Sequence, residues 1–171
     1  EHDIMDTEQP ESGKMHIRRE TIDVAELLLH QADKLEPLLK EKRLSLLLRL
    51  ETDKRYIWGD AGRLEQVLDN LLSNAIRYSP EESRIGLKLT EEKDLLNICV
   101  SDEGDGISEE ELPLIWERFY RTDKSRNRSS GGNGLGLSIS RGLVEAMGGT
   151  ISAHSIKDEG TQFTIRIPWL K

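Results

Sequence analysis

The segment that most limits what this chain can fold into is residues 61–78. Leu64, Val67, Leu68, Leu71, Leu72 and Ala75 recur at intervals of three and four, the spacing of one face of an α-helix. Asp60 ahead of it is a helix N-cap residue, and Ser79-Pro80 closes it, because proline drives the residue before it out of helical geometry. A helix that is apolar along a single stripe is stable only when a second layer covers the stripe.

Other segments supply the layers. Asp23 starts an earlier helix, with Glu26 three residues on in a capping-box pattern and Val24, Leu27, Leu28, Gln31 and Leu35 at helical spacing. Pro37 is expected to kink or restart it. Residues 136–147 read as a third long helix, terminated by Gly148-Gly149. Short strands are predicted over 15–22, 44–50 and 56–58, a strand pair over 84–90 and 95–101, and two final strands over 150–156 and 161–167. A short helix is expected within 108–118, a mobile loop over 122–134, and a polar linker over 1–14 ahead of a domain occupying 15–171. The predicted fold class is a two-layer α/β (α+β) sandwich, with a mixed, mostly antiparallel sheet packed on three long helices.

Composition excludes some functions. Lys plus Arg number 24 against 32 Asp plus Glu, a net charge of −8, which argues against nucleic acid as the main partner but not against a small nucleotide. The single cysteine, Cys99, builds neither a disulfide framework nor a zinc cluster, and its apolar neighbours Ile98 and Val100 suggest a core or near-core thiol. No apolar run reaches membrane-spanning length, so this piece is expected to be soluble and cytosolic.

Three polar clusters carry candidate chemistry. Asn70, Asn74 and Arg77 stand at i, i+4 and i+7 on one helix face, with Tyr78 beside them. An Asn carbonyl is a hard oxygen ligand suited to magnesium, although such a face alone is equally a solvated surface. Asp102-Glu103-Gly104-Asp105-Gly106 follows a strand directly. Its glycines permit close backbone approach to a ligand, Asp102 can accept a hydrogen bond from an exocyclic amine, and Ile107 can pack on a flat ring. Alone it is also an ordinary turn. Gly131-Gly132-Asn133-Gly134-Leu135-Gly136-Leu137 opens a helix, where unpaired N–H groups favour anions. No Gly-Lys-Ser/Thr occurs, which excludes a Walker loop, and no strand precedes the glycines, which excludes a dinucleotide fingerprint.

The order of these clusters resembles the sensor histidine kinase branch of the gyrase-like ATPase superfamily. Asn70 to Pro80 resembles its N box, Asp102 to Gly106 its first glycine box, Glu117-Arg118-Phe119-Tyr120-Arg121 its F box, Gly132 to Leu137 its second glycine box, and Gly160-Thr161-Gln162-Phe163 its late strand. The resemblance covers residues 15–168 and implies a Bergerat-type ATP-binding fold. It implies that Asn74 binds Mg2+ with Asn70 in support, that Arg77 meets the phosphates and that Tyr78 lies against the nucleoside. Asp102 would read the adenine amine with Thr161 helping through water, and Gly104, Gly106 and Ile107 would border the base. Gly132, Gly134, Leu135, Gly136 and Leu137 would form the lid hinge and phosphate site. Arg118 and Arg121 are weaker phosphate or partner contacts, and Trp116 and Phe119 are packing residues. The resemblance further implies ATP and Mg2+ as cofactors. The partners would be a dimerisation and phosphoacceptor domain and a response regulator, and the parent a membrane-anchored bacterial sensor kinase with this domain in the cytoplasm.

The pattern departs from the family at the acceptor. His2-Asp3 is followed by Ile-Met-Asp-Thr-Glu-Gln-Pro rather than Thr/Asn-Pro at the family's spacing, and His16, His30 and His154 fit no acceptor motif. The acceptor hairpin is therefore expected to be missing, with Glu11 to Lys14 resembling its end. An ATP-hydrolysing relative remains an alternative, but such relatives carry Glu four residues before the metal-binding Asn, where this chain has Asn70. A non-catalytic nucleotide-binding module is a second alternative. The acceptor mismatch makes a prediction: incubated with γ-labelled ATP, this chain retains no acid-labile phosphate, and label lost on His2→Ala would contradict it.

Overall fold

A computed structural model of the chain describes residues 16–118, 120 and 136–171. The elements run β1 (Glu20–Asp23), α1 (Val24–Glu41), β2 (Ser45–Leu50), β3 (Tyr56–Gly59), α2 (Ala61–Tyr78), β4 (Arg84–Glu92), β5 (Leu95–Asp102), a 3-10 turn (Leu112–Leu114), α3 (Gly136–Ala146), β6 (Thr150–Ile156) and β7 (Gly160–Pro168). Strands β2, β4, β5, β7 and β6 lie side by side in that order, with β2 parallel to β4 and the other pairs antiparallel. β1 and β3 form a separate antiparallel pair. Among the described residues, three helices on a mixed, mostly antiparallel sheet make the predicted architecture.

Alternation along the strands decides which face the helices cover. Leu87, Val100 and Phe163 are register partners in adjacent strands, as are Leu89, Ile98, Ile165 and Ile151, and all are buried. Their neighbours along the chain point to the other face, since side chains alternate with a period of two. Cys99 belongs to that other face. It is half-buried beside Thr164, 3.5 Å from its Oγ1, so of the two expected placements, core or near-core, register selects the second: Ile98 and Val100 face the helices and Cys99 between them cannot.

The apolar stripe of α2 is buried throughout. Asp60 caps the helix by accepting from the Arg63 N–H at 3.1 Å, and Asp23 caps α1 by accepting from the Glu26 N–H at 3.2 Å. Three expectations change. α1 runs through Pro37 to Glu41 without a break. Pro37 is exposed, so the carbonyl that loses its donor one turn earlier opens to water. β1 is shorter than the predicted 15–22 because its partner β3 has only four residues, and the Arg18 N–H goes to Asp60 Oδ2 instead. Within 108–118 the backbone makes only a 3-10 turn, Pro113 lacking the N–H that an α-helix would use. Residues 1–14 and the loop 122–134 lie outside the described residues.

The core depends most on α2. Leu68 is fully buried, so Leu68→Ala should lower stability by about 2–5 kcal/mol, read as an earlier urea midpoint with an unchanged slope. A loss below about 1 kcal/mol would mean that α2 does not pack as described.

Candidate functional site

The site grows from the C-terminal half of α2 and the end of β5. Covering the leucine stripe of α2 leaves Asn70, Asn74 and Arg77 roughly a third of a turn away, all half-buried. The last turn of α2 is held from α1. Lys42 Nζ donates to the carbonyl oxygens of Ile76 and Arg77, each at 2.7 Å, placing a cation at the negative end of the helix. The Arg77 guanidinium lies 5.8 Å from the centre of the Tyr78 ring, and its Nη1 is buried with no hydrogen-bond partner. A buried charged donor left unpaired is costly unless a ligand completes it.

The turn after β5 closes on the end of α2. A Cβ placed on Gly104 would lie 2.8 Å from the Tyr78 carbonyl oxygen, so the two backbones touch there and no side chain fits. Gly106 has φ +76°, and a Cβ there would collide with the Ile156 carbonyl. Ser155 on β6 pins the turn: its Oγ accepts from the Ile107 N–H at 2.7 Å and donates to the Gly160 carbonyl at 2.8 Å. Asp105 accepts from the Asp158 N–H at 2.5 Å, tying the turn to the β6–β7 hairpin.

Asp102 is the last residue of β5 and the register partner of Thr161 on β7. The Gly104 N–H donates to its Oδ1 at 2.8 Å, and Thr161 Oγ1 lies 3.0 Å from Ser155 Oγ. Burial pushes the Asp102 carboxyl above its ordinary value, against the backbone N–H groups of Gly104 and Thr161, which stabilise the anion. The raised value means that the folded chain holds this proton more tightly than the unfolded chain does. The ionised carboxylate therefore costs stability at neutral pH, and the cost vanishes as pH falls below both values.

Asn70 meets α3 instead of open space. Its Nδ2 donates to Ser140 Oγ at 3.2 Å, and a Cβ on Gly136 would lie 2.5 Å from Asn70 Oδ1. Leu137 is half-buried against the core. Trp116 packs edge-on to Phe163 with ring centres 6.0 Å apart, which agrees with a packing role. Tyr120 donates its hydroxyl to Glu111 at 2.7 Å. Phe119, Arg121, Gly132, Gly134 and Leu135 lie outside the described residues.

With this geometry in hand, the family profile described as "Histidine kinase-, DNA gyrase B-, and HSP90-like ATPase" matches residues 59–171, a span that contains every site residue named above except Lys42. The chain belongs to this ATPase family. Among its relatives is the sensor histidine kinase WalK of Bacillus subtilis, 36% identical over 170 residues, 98% of this chain and 28% of WalK. The chain thus spans little more than a quarter of that relative. The catalytic domain of histidine kinase ThkA has the same fold, with a TM-score of 0.78 at 24% identity over 88% of this chain and 95% of that one. Full-length ShkA, solved in complex with AMPPNP, superposes with a TM-score of 0.85 at 25% identity, covering 99% of this chain and 35% of ShkA.

Family membership makes magnesium the metal to test against these residues. Among the described residues no group of three or more His, Cys, Asp or Glu stands together to cage an ion. Magnesium does not require one, since it commonly keeps water and phosphate oxygens as most of its ligands and takes only one or two from protein. The half-buried amide of Asn74 and the unpartnered Arg77 Nη1 on the same helix face fit an ion and a polyphosphate together. Lys42, Ser155 and Ser140 are not among the residues expected from the sequence. A lone Lys after a helix and a Ser in a strand carry no local signal, and only their tertiary contacts reveal them.

The Asp102 geometry yields a prediction with two readouts. Asp102→Asn should raise the Tm of the nucleotide-free domain at neutral pH, and the gain should shrink as pH is lowered into the ordinary carboxylate range. A pH-independent change in Tm would contradict the assigned cause.

Proposed function

We propose that this domain binds Mg-ATP and donates its γ-phosphoryl group to a histidine on a separate helical domain of a two-component sensor kinase, from which a response regulator takes it. The observation that carries the reading is the convergence of two unlike surfaces. Asp102, paired in register with Thr161, offers a buried acceptor for an exocyclic amine, while α2 offers Asn74 and a buried, unpartnered guanidinium nitrogen a short way off. One end suits a base and the other suits phosphates. The AMPPNP complex of ShkA and the sensor-kinase relatives support the same reading.

In this proposal the residues bind and orient. Asp102 accepts from the adenine amine with Thr161 beside it, Gly104, Gly106 and Ile107 border the base, and Tyr78 lies against the nucleoside. Asn74 holds the metal, Arg77 meets the phosphate oxygens, and Arg121, Gly132, Gly134, Leu135, Gly136 and Leu137 contribute from the segment that leads into α3. Magnesium, when bound, offsets the negative charge of the phosphates. An acceptor imidazole nitrogen forms the new bond to the γ-phosphorus as the bond to the bridging oxygen breaks, and ADP departs with that electron pair. This chain's residues hold the nucleotide in line for that step. The parent would be a membrane-anchored kinase with this domain in the cytoplasm. Among the described residues no helix is long and apolar enough to cross a membrane.

Hydrolysis is the reaction to be avoided. At the position one turn before Asn74 stands an amide, Asn70, already donating to Ser140, and an amide cannot take a proton from water near neutral pH. The absence of a positioned base costs about 10²–10⁴-fold in rate. Calorimetric titration should therefore detect Mg-ATP binding that Asn74→Ala and Asp102→Ala each weaken at least about tenfold, with little free phosphate released by the wild type. Equal binding by those variants, or brisk phosphate release abolished by Asn74→Ala, would overturn the reading.

A further inference from the structure

Ser140 stands one helical turn after Gly136, so both lie on the same face of α3. On that face Ser140 and Gly136 both meet the side chain of Asn70 on α2. Ser140 is buried, with 3% of its surface exposed, on a helix that otherwise sends Leu143 and Val144 into the core. Serine is the poorer helix former than alanine, and a buried hydroxyl must find a partner to offset its desolvation. The partner is the Asn70 amide, which donates from Nδ2 at 3.2 Å. The other end of the same amide fills the volume that a side chain on residue 136 would need, Oδ1 being 2.5 Å from where that Cβ would sit.

We propose that Ser140 is a positioning residue for the phosphate half of the nucleotide site, acting through Asn70 to lock the first turn of α3 to the polar face of α2. Asn74 lies one turn along that face from Asn70, so the latch sets how far the metal-binding amide stands from the helix start that follows the glycine-rich segment. The adenine end stands on different contacts, from Asp102 through Gly104, Thr161 and Ser155, and shares none with Ser140. Loss of the latch therefore loosens the phosphate half and leaves the base half in place. This inference rests on the Mg-ATP reading above.

The test uses the full chain and four proteins: wild type, Ser140→Ala, Asn70→Ala and the double variant. Mg-ATP affinity is measured by calorimetry, and the affinity for adenosine, which has no phosphates, by chemical-shift titration. Ser140→Ala should weaken Mg-ATP about 2–10-fold, the worth of one neutral hydrogen bond, with adenosine affinity unchanged. In the Asn70→Ala background the same substitution should add nothing, because its only route to the site is gone. A purely structural role would weaken adenosine and Mg-ATP alike, or persist in that background, and either result overturns the inference. So does an unchanged Mg-ATP affinity in Ser140→Ala when the wild type binds normally. Failure of the wild type to bind Mg-ATP at all would overturn both this inference and the nucleotide reading beneath it.

Discussion

Burial of the α2 stripe on the sheet is the constraint on which the rest of the molecule depends. Leu64, Leu68, Leu71 and Leu72 are all essentially inaccessible to solvent, and each leucine-sized side chain so buried contributes about 1.5–3 kcal/mol. A helix is rigid in rotation once one stripe is committed. Seating the leucines therefore also aims Asn70, Asn74 and Arg77, since their angular offset from the stripe is fixed by 100° per residue. The core and the site are two faces of one element, and a packing defect in the first would displace the second.

Around that helix the chain assembles its site from pieces distant in sequence by means of backbone contacts. The Asp102 to Gly106 turn approaches α2 only because Gly104 lacks a side chain, and it keeps its shape through Ser155 and the β6–β7 hairpin. α1 contributes from the far side through Lys42, which joins the carbonyl ends of α2 to the cap of α1. α3 reaches α2 through the Asn70 latch. The Lys42 contact and the glycine turn bring polar atoms together at a helix end and a strand end, where backbone groups lack partners of their own, while the Asn70 contact joins two helices through side chains alone. Here a scaffold of regular elements presents the candidate site at its irregular margins.

Arg77 and Asp102 are the residues at which the stability of the free domain and the proposed nucleotide site pull apart. An unpartnered buried donor on Arg77 and a carboxyl raised by burial on Asp102 both burden the free domain. A nucleotide with phosphates at one end and an amine at the other would satisfy both at once. Polar groups arranged at a cost to the free protein are what a binding site requires, because their unmet demand becomes affinity when the ligand arrives.

The fold was legible in the sequence wherever one periodicity ruled. The spacing of Leu64 to Ala75, the capping residues Asp23 and Asp60, and the alternation through 84–90 and 95–101 each followed from the local geometry of a helix or a strand, which needs no distant partner. The order of Asn70 to Tyr78, Asp102 to Gly106, the glycine-rich helix start and Thr161 was likewise enough to assign the family. Tertiary structure decided what local periodicity does not encode. It put Cys99 on the far face, because register with β7 and not local polarity sets which side a strand residue takes. It carried α1 through Pro37, because exposure let water serve the carbonyl left without a donor. It gave Lys42, Ser155 and Ser140 their partners, because a hydrogen bond between elements 34 to 70 residues apart is a fact of packing and leaves no spacing in the chain to read.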